Sequence, residues 1–321
     1  MPRKKPHARP SVHHPSAAVE KAWDRRRAAG SQPPTVSPWW LAAVLGIAVL
    51  VAAACAWGAL CFMFWQGSWQ LLYHPTSAVT STPASVGLAF NDAAFAASDT
   101  GLPRLRGWWI PATPDSGVSG YTALYLHDAS GNLGDTTGAL ARLHAAGLNV
   151  LAFDYRGYGQ SQFQHPSEAA WRQDAEWALQ YLTGTRHIAA GSILLVGKGL
   201  GANLALAVAA SHPELAGVVL QEPRPAPMLA IFQDPRARMV PAHALVSDRW
   251  DLDAPATTLR IPSLWFYWAA TDPQALPDVP EAFQRVAAPR TLVPLSTTRN
   301  GQPDQETALS RWLDGLSHGT H

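Results

Sequence analysis

Residues 196–203 read Val196-Gly197-Lys198-Gly199-Leu200-Gly201-Ala202-Asn203, and they decide the fold. Before them stands a short apolar run, 192–196 (SILLV), and behind them a run of small and apolar residues, 201–212. A brief continuous apolar run suits a strand buried on both faces, and the longer run suits a helix packed on it. Three glycines at alternate positions allow a tight turn between the two. Glycine adopts positive φ without strain and lets backbones approach closely.

The same rhythm extends outward. Strands are expected at 122–126, 149–153, 217–221, 263–269 and 291–295, and helices at 136–146, 168–183 and 305–316. Apolar strands alternating with helices predict an α/β fold, with a mostly parallel central sheet covered on both faces. Residues 222–260 break the pattern, with prolines at 223, 225, 227, 235, 241 and 255 and no clear period. In such a sheet this segment lies over the carboxyl ends of the strands, where ligands bind, and reads as a lid or cap. A surface excursion without a ligand is the competing reading. No internal repeat is present.

Towards the N-terminus, residues 39–65 read WWLAAVLGIAVLVAAACAWGALCFMFW and carry no charge. Such a run is long enough to cross a hydrocarbon core of about 30 Å. Trp39 and Trp40 stand at one end, and Trp65, Trp69 and Tyr73 at the other, as interfacial aromatics do. Residues 1–38 hold eight Lys and Arg against two acids, and after the run no Lys or Arg follows until Arg104. The positive-inside rule then keeps the N-terminus cytoplasmic and puts the C-terminal domain outside, periplasmic in a bacterium, on a single-pass inner-membrane anchor. The expected organisation is a disordered basic tail (1–38), a transmembrane helix (39–65), a linker (66–90) and the main domain (91–316). A cleaved signal peptide, or lipidation at Cys55 after Ala52-Ala53-Ala54, are the alternatives; the apolar run is long for either. Cys55 and Cys61 both lie in the run, so the domain needs no disulfides. Residues 75–321 carry sixteen basic against twenty-one acidic side chains, a poor profile for binding nucleic acid. No HExxH, paired cysteines or helical histidine pair suggests a metal, and no cofactor motif is visible.

Four motifs occur in order: YLHDASGN at 125–132, FDYRGYGQS at 153–161, VGKGLGAN at 196–203 and WAATDP at 268–273. Together they resemble the α/β-hydrolase superfamily over roughly residues 70–316. The chain is most similar to the membrane-anchored serine hydrolase and peptidase-like branch, with an LLYHP segment at 71–75 and a GWWIPA-like strand at 107–112. The resemblance implies a strained turn of pattern G-x-S-x-G, whose serine attacks a carbonyl. Here the turn is Gly197, Lys198, Gly199, Leu200 and Gly201, and Gly199 takes the serine's place. The resemblance also implies a histidine after the last strand, yet residues 296–304 contain none; His318 and His321 lie beyond the closing helix. Asp272 matches the triad acid, which alone orients nothing. The oxyanion loop, usually H-G-x-x-G-N in this family, is His127, Asp128, Ala129, Ser130, Gly131 and Asn132. A carboxylate at Asp128 opposes the charge an oxyanion hole exists to stabilise.

Lys198 and Asp128 are expected to form an ion pair that fills the old site. Glu222, His165 and His243 are candidate pocket residues, and Ser130 and Ser161 are hydroxyls expected near the same face. Arg156 is expected to tie loops together. Trp250 is the tryptophan expected to serve as a contact surface. The function implied is a non-catalytic, membrane-tethered binding or scaffolding domain for an unknown small molecule or protein. Two alternatives stand beside it: an active ester, thioester or peptide hydrolase with relocated groups, and a structural subunit recognised through its tryptophans.

Overall fold

A computed structural model describes residues 16–30, 36–113, 120–268, 281–295 and 305–318. The chain divides into two units, residues 1–59 and 60–321. In the first unit helix α1 spans Ala17–Ala29 and helix α2, Pro38–Gly67, begins. The expectation of a disordered tail is thus corrected over α1. Its AAVEKAWDRRRAA sequence is built largely of strong helix formers, although it has no apolar face to bury. Helix α2 exposes Trp39, Leu45, Ile47 and Leu50 along its length and is long and apolar enough to cross a membrane.

The second unit is built on eight strands: β1 (Asn91–Ala97), β2 (Pro103–Ile110), β3 (Thr122–Leu126), β4 (Asn149–Asp154), β5 (Ile193–Lys198), β6 (Gly217–Gln221), β7 (Ser263–Trp268) and β8 (Arg290–Leu295). Their spatial order is β1-β2-β4-β3-β5-β6-β7-β8. Strand β2 runs antiparallel to both neighbours, and every other pair is parallel. The predicted strands all appear at their places. Strand β1 was not predicted. It is an edge strand of mostly Ala, Asn and Asp that buries only Ala93 and Phe95, so its apolar alternation is faint.

The pleat sends successive side chains to opposite faces, and the two cores follow it. Leu124, Leu151, Phe153, Leu195, Val218 and Trp265 pack on one face, with Trp171, Ala175 and Ala178 of helix α4 (Glu168–Gln180) and Leu204, Ala205 and Val208 of α5 (Leu200–Ser211). Tyr125, Val150, Ala152, Leu194, Val196 and Leu264 pack on the other. There they meet Leu140 and Leu143 of helix α3 (Thr137–Ala145), inserted between β3 and β4, and Leu309 and Trp312 of α6 (Gln305–His318). Helix α5 is buried from Leu200 to Ala209, which explains its small and apolar composition.

Candidate functional site

The turn between β5 and α5 forms the floor of the site. Gly199 has φ 57° and ψ −122°. Its N–H donates to the Gln221 carbonyl at 2.8 Å and its carbonyl accepts from Ala202 N–H at 3.1 Å. Close approach dictates the flanking glycines: a Cβ at Gly197 would lie 2.6 Å from Ala202 Cα, and one at Gly201 would lie 2.8 Å from the Leu126 carbonyl carbon. The turn thus keeps the form of a nucleophile elbow, with no side chain at its apex.

The space beside the apex is occupied by Asp128. A Cβ built on Gly199 would stand 2.6 Å from Asp128 Oδ2 and closer still to Cγ and Oδ1. Asp128 Oδ1 accepts the Leu200 N–H at 2.8 Å and the Ala129 N–H at 2.7 Å. An oxyanion hole in this fold is made by the N–H of the residue after the nucleophile and an N–H from the loop after β3. Those are the kinds of donor that Asp128 engages. A single carboxylate oxygen of the protein thus takes up both donors.

The partner of this carboxylate corrects the sequence expectation. Asp128 Oδ2 accepts from Arg224 Nη2 at 2.7 Å, whereas Lys198 is exposed at the end of β5 and makes no ion pair with Asp128. Lys198 precedes the turn apex, while Arg224, which sequence reasoning overlooked, enters from the lid. Asn203 holds that lid residue in place: its Nδ2 donates to the Arg224 carbonyl at 2.8 Å and the Trp250 carbonyl at 3.2 Å, and its Oδ1 accepts the Arg224 N–H at 2.9 Å. The signal available in the sequence was an asparagine inside an otherwise small and apolar helix, since a buried amide must find partners.

Behind the oxyanion loop, His127 is 1% exposed and sits among Tyr155, Tyr158 and Trp171. Its Nδ1–H donates to the Asp128 carbonyl at 2.8 Å, and its Nε2 stands 3.6 Å from Asp154 Oδ1. Burial lowers the His127 pKa to about 4 and raises that of Asp154 to about 7, so both are held towards their neutral forms. His127 therefore shapes the loop and offers no base to the elbow. Arg156 does tie loops together. Its backbone N–H and Nε reach Asp174 at 2.9 and 2.6 Å, Nη1 reaches Gln164, and Nη2 reaches the Ala170 carbonyl and Gln173.

Ser130, Ser161, His165 and His243 make other contacts. Ser130 pairs with His74 in a short parallel bridge between His74–Pro75 and Ser130–Gly131. Ser161 donates to the Asp154 carbonyl at 2.6 Å and accepts the Arg106 N–H. His165 stacks on Trp69 with ring centres 5.0 Å apart, and His243 stacks on Phe232 at 4.0 Å. Glu222 follows β6 with φ 55° and lines, with Arg224, Tyr267 and the Pro223-to-Pro227 stretch, an open cleft of about 470 Å³. Trp250 is 1% exposed, its indole donating to Tyr73 Oη at 2.9 Å, so it is a core residue and not a contact surface. Asp272 and residues 296–304 lie outside the described residues. Among the described residues no group of His, Cys, Asp and Glu is arranged to hold a metal.

The strand order, the elbow and the loop that faces it define the class: this is the α/β-hydrolase fold. Residues 125–281 match the model of the serine aminopeptidase S33 family. An uncharacterized protein of Mycobacterium tuberculosis is 34% identical over 175 residues, which cover 54% of this chain and 60% of that protein. The α/β hydrolase domain-containing protein WAV2 of Arabidopsis thaliana is 30% identical over 143 residues, 44% of each chain. Protein bem46 of Schizosaccharomyces pombe is 33% identical over 103 residues, 32% of this chain and 34% of that one. The chain thus spans between about a third and three fifths of the length of these relatives. Among solved structures, the Pyrococcus furiosus esterase Pf2001 superposes with a TM-score of 0.57 at 18% identity, covering 77% of this chain and 98% of the esterase. At that identity the likeness speaks for the fold alone.

Proposed function

We propose that this chain is a non-catalytic α/β-hydrolase-fold protein, tethered to a membrane by α2, whose domain outside the cytoplasm binds a ligand or partner. The observation that carries this reading is Asp128. Its carboxylate holds the Leu200 and Ala129 N–H groups and an arginine, at a turn whose apex residue, Gly199, has no nucleophile. Loss of a nucleophile alone removes about six orders of magnitude of rate in a protease worked through in detail. A carboxylate in the hole opposes the remaining electrostatic contribution. The open cleft at Glu222, Arg224 and Tyr267 supplies a place for a ligand. The apolar length of α2, its terminal tryptophans and the basic residues before it support the anchor and its direction.

The test is an ester-hydrolysis assay on the full chain in detergent, across several acyl lengths, beside Gly199→Ser and Gly199→Ser/Asp128→Gly. The wild-type chain is expected to match buffer. Turnover by the wild-type protein, abolished by substitution at the elbow or oxyanion loop, would overturn the reading.

A further inference from the structure

A second cavity, of about 250 Å³, lies away from the elbow, where α2 gives way to the domain. Trp65 and Gln66 in the last turn of α2 line it, followed by Ser68 and Trp69. His165 and Asp248 stand in the same wall. Gln66 is the first strongly polar residue after the apolar run, so the cavity begins at the level where that run ends. Trp65 is half exposed, and His165 lies nearly parallel to the Trp69 ring, at 26°. Phe163, 82% exposed, meets His165 edge-on with ring centres 5.9 Å apart. An apolar ring is thus presented to the surroundings at the same level.

Among the described residues, Asp248 is the one Asp, Glu, Lys or Arg side chain on this wall. It accepts the Tyr73 hydroxyl on Oδ2 and the Glu168 N–H at 3.1 Å on Oδ1, which leaves each oxygen a further lone pair. The neighbouring Arg249 guanidinium is turned to the Val246 and Asp248 carbonyls and is not part of the wall. Glu168 spends its carboxylate on the Arg249 and Trp250 N–H groups and on Arg172. The wall therefore combines two indoles with a carboxylate and, among the described residues, offers no Lys or Arg. Indole faces and a carboxylate attract an ammonium group, and the carboxylate repels an anion.

We propose that this cavity binds the ammonium headgroup of a zwitterionic phospholipid, ethanolamine or choline, in the leaflet from which α2 emerges. The inference rests on the membrane reading above, and two separate measurements keep them apart. The purified full chain in detergent is titrated with dihexanoyl phosphoethanolamine, phosphocholine and phosphoglycerol, while flotation with mixed-lipid vesicles reports anchoring. Saturable binding of the two ammonium lipids is expected, with phosphoglycerol much weaker. Trp65→Ala, at a half-exposed position that leaves the core intact, weakens binding about tenfold, and Trp65→Phe recovers part of it. Equal or tighter binding of phosphoglycerol, no saturable binding, or no effect of Trp65→Ala in a chain of unchanged thermal stability overturns the headgroup site. Loss of flotation with headgroup selectivity intact overturns the anchor alone.

Discussion

Gly199 and Asp128 are chemically one feature. The carboxylate occupies the volume that a Cβ on the apex residue would need, and the backbone donors hold it there. Gly199→Ala adds positive-φ strain and a clash, and is expected to cost about 2–4 kcal/mol by urea unfolding. Asp128→Ala removes the clash but leaves Arg224 and two N–H groups unpaired. The double variant is therefore less destabilised than the sum, by about 1–3 kcal/mol in a double-mutant cycle; strict additivity would show that the two residues do not share that volume. The pair His127 and Asp154 makes a pH prediction. Folded Asp154 keeps its proton up to about pH 7, whereas the unfolded carboxyl releases it near 3.8, so its contribution to stability is fullest at low pH and fades as pH rises through that window. His127 slopes the other way: its folded pKa is about 4 against 6.5 unfolded, so stability is lost as pH falls from 6.5 to 4. Asp154→Asn removes the first slope alone. Its melting temperature relative to wild type is expected to climb by several degrees from pH 4 to pH 7, on the order of 2–4 °C per kcal/mol for a domain of this size. A pH-independent difference in a thermal scan would contradict this.

At the scale of elements, Asp128, Glu168, Asn203 and Tyr73 all tie the lid to the domain, and the last two can be tested without touching the elbow. Asn203 of α5 clamps the Arg224 and Trp250 backbone, and Tyr73, just after α2, donates to Asp248 and accepts from the Trp250 indole. Asn203→Ala strands three backbone groups and is expected to cost about 2–4 kcal/mol. The same change should speed proteolytic nicking within 222–260, since segments with fewer anchoring contacts open locally. Tyr73→Phe keeps the ring packing against Trp171 and loses the hydroxyl link, for about 1–3 kcal/mol. If nicking stays at the wild-type rate in both variants, these two links do not hold the lid.

For the whole molecule, the unlike character of the two units gives a topology prediction. In bacterial cells producing the chain, alkaline carbonate should leave it in the membrane fraction. Protease added outside the inner membrane should remove the C-terminal domain while a tag on residues 1–38 survives. A tag lost with the domain intact would reverse the orientation that the basic residues before α2 imply.

Much of this architecture was legible in the sequence, because apolar periodicity and glycine spacing are local signals. The strands β3 to β8, the helices that cover them, the elbow glycines and the uncharged run of α2 are each encoded within a few neighbouring residues. Strand β1 escaped because an edge strand buries too few side chains to show a period. Arg224 in place of Lys198 was decided by the tertiary structure alone. An ion pair across 96 residues depends on where the lid lands, and the lid lands where Asn203 fixes it. Tertiary packing likewise buried Trp250 and sent His165 to the end of α2, since the direction of a loop side chain is set by its neighbours in space and not in sequence.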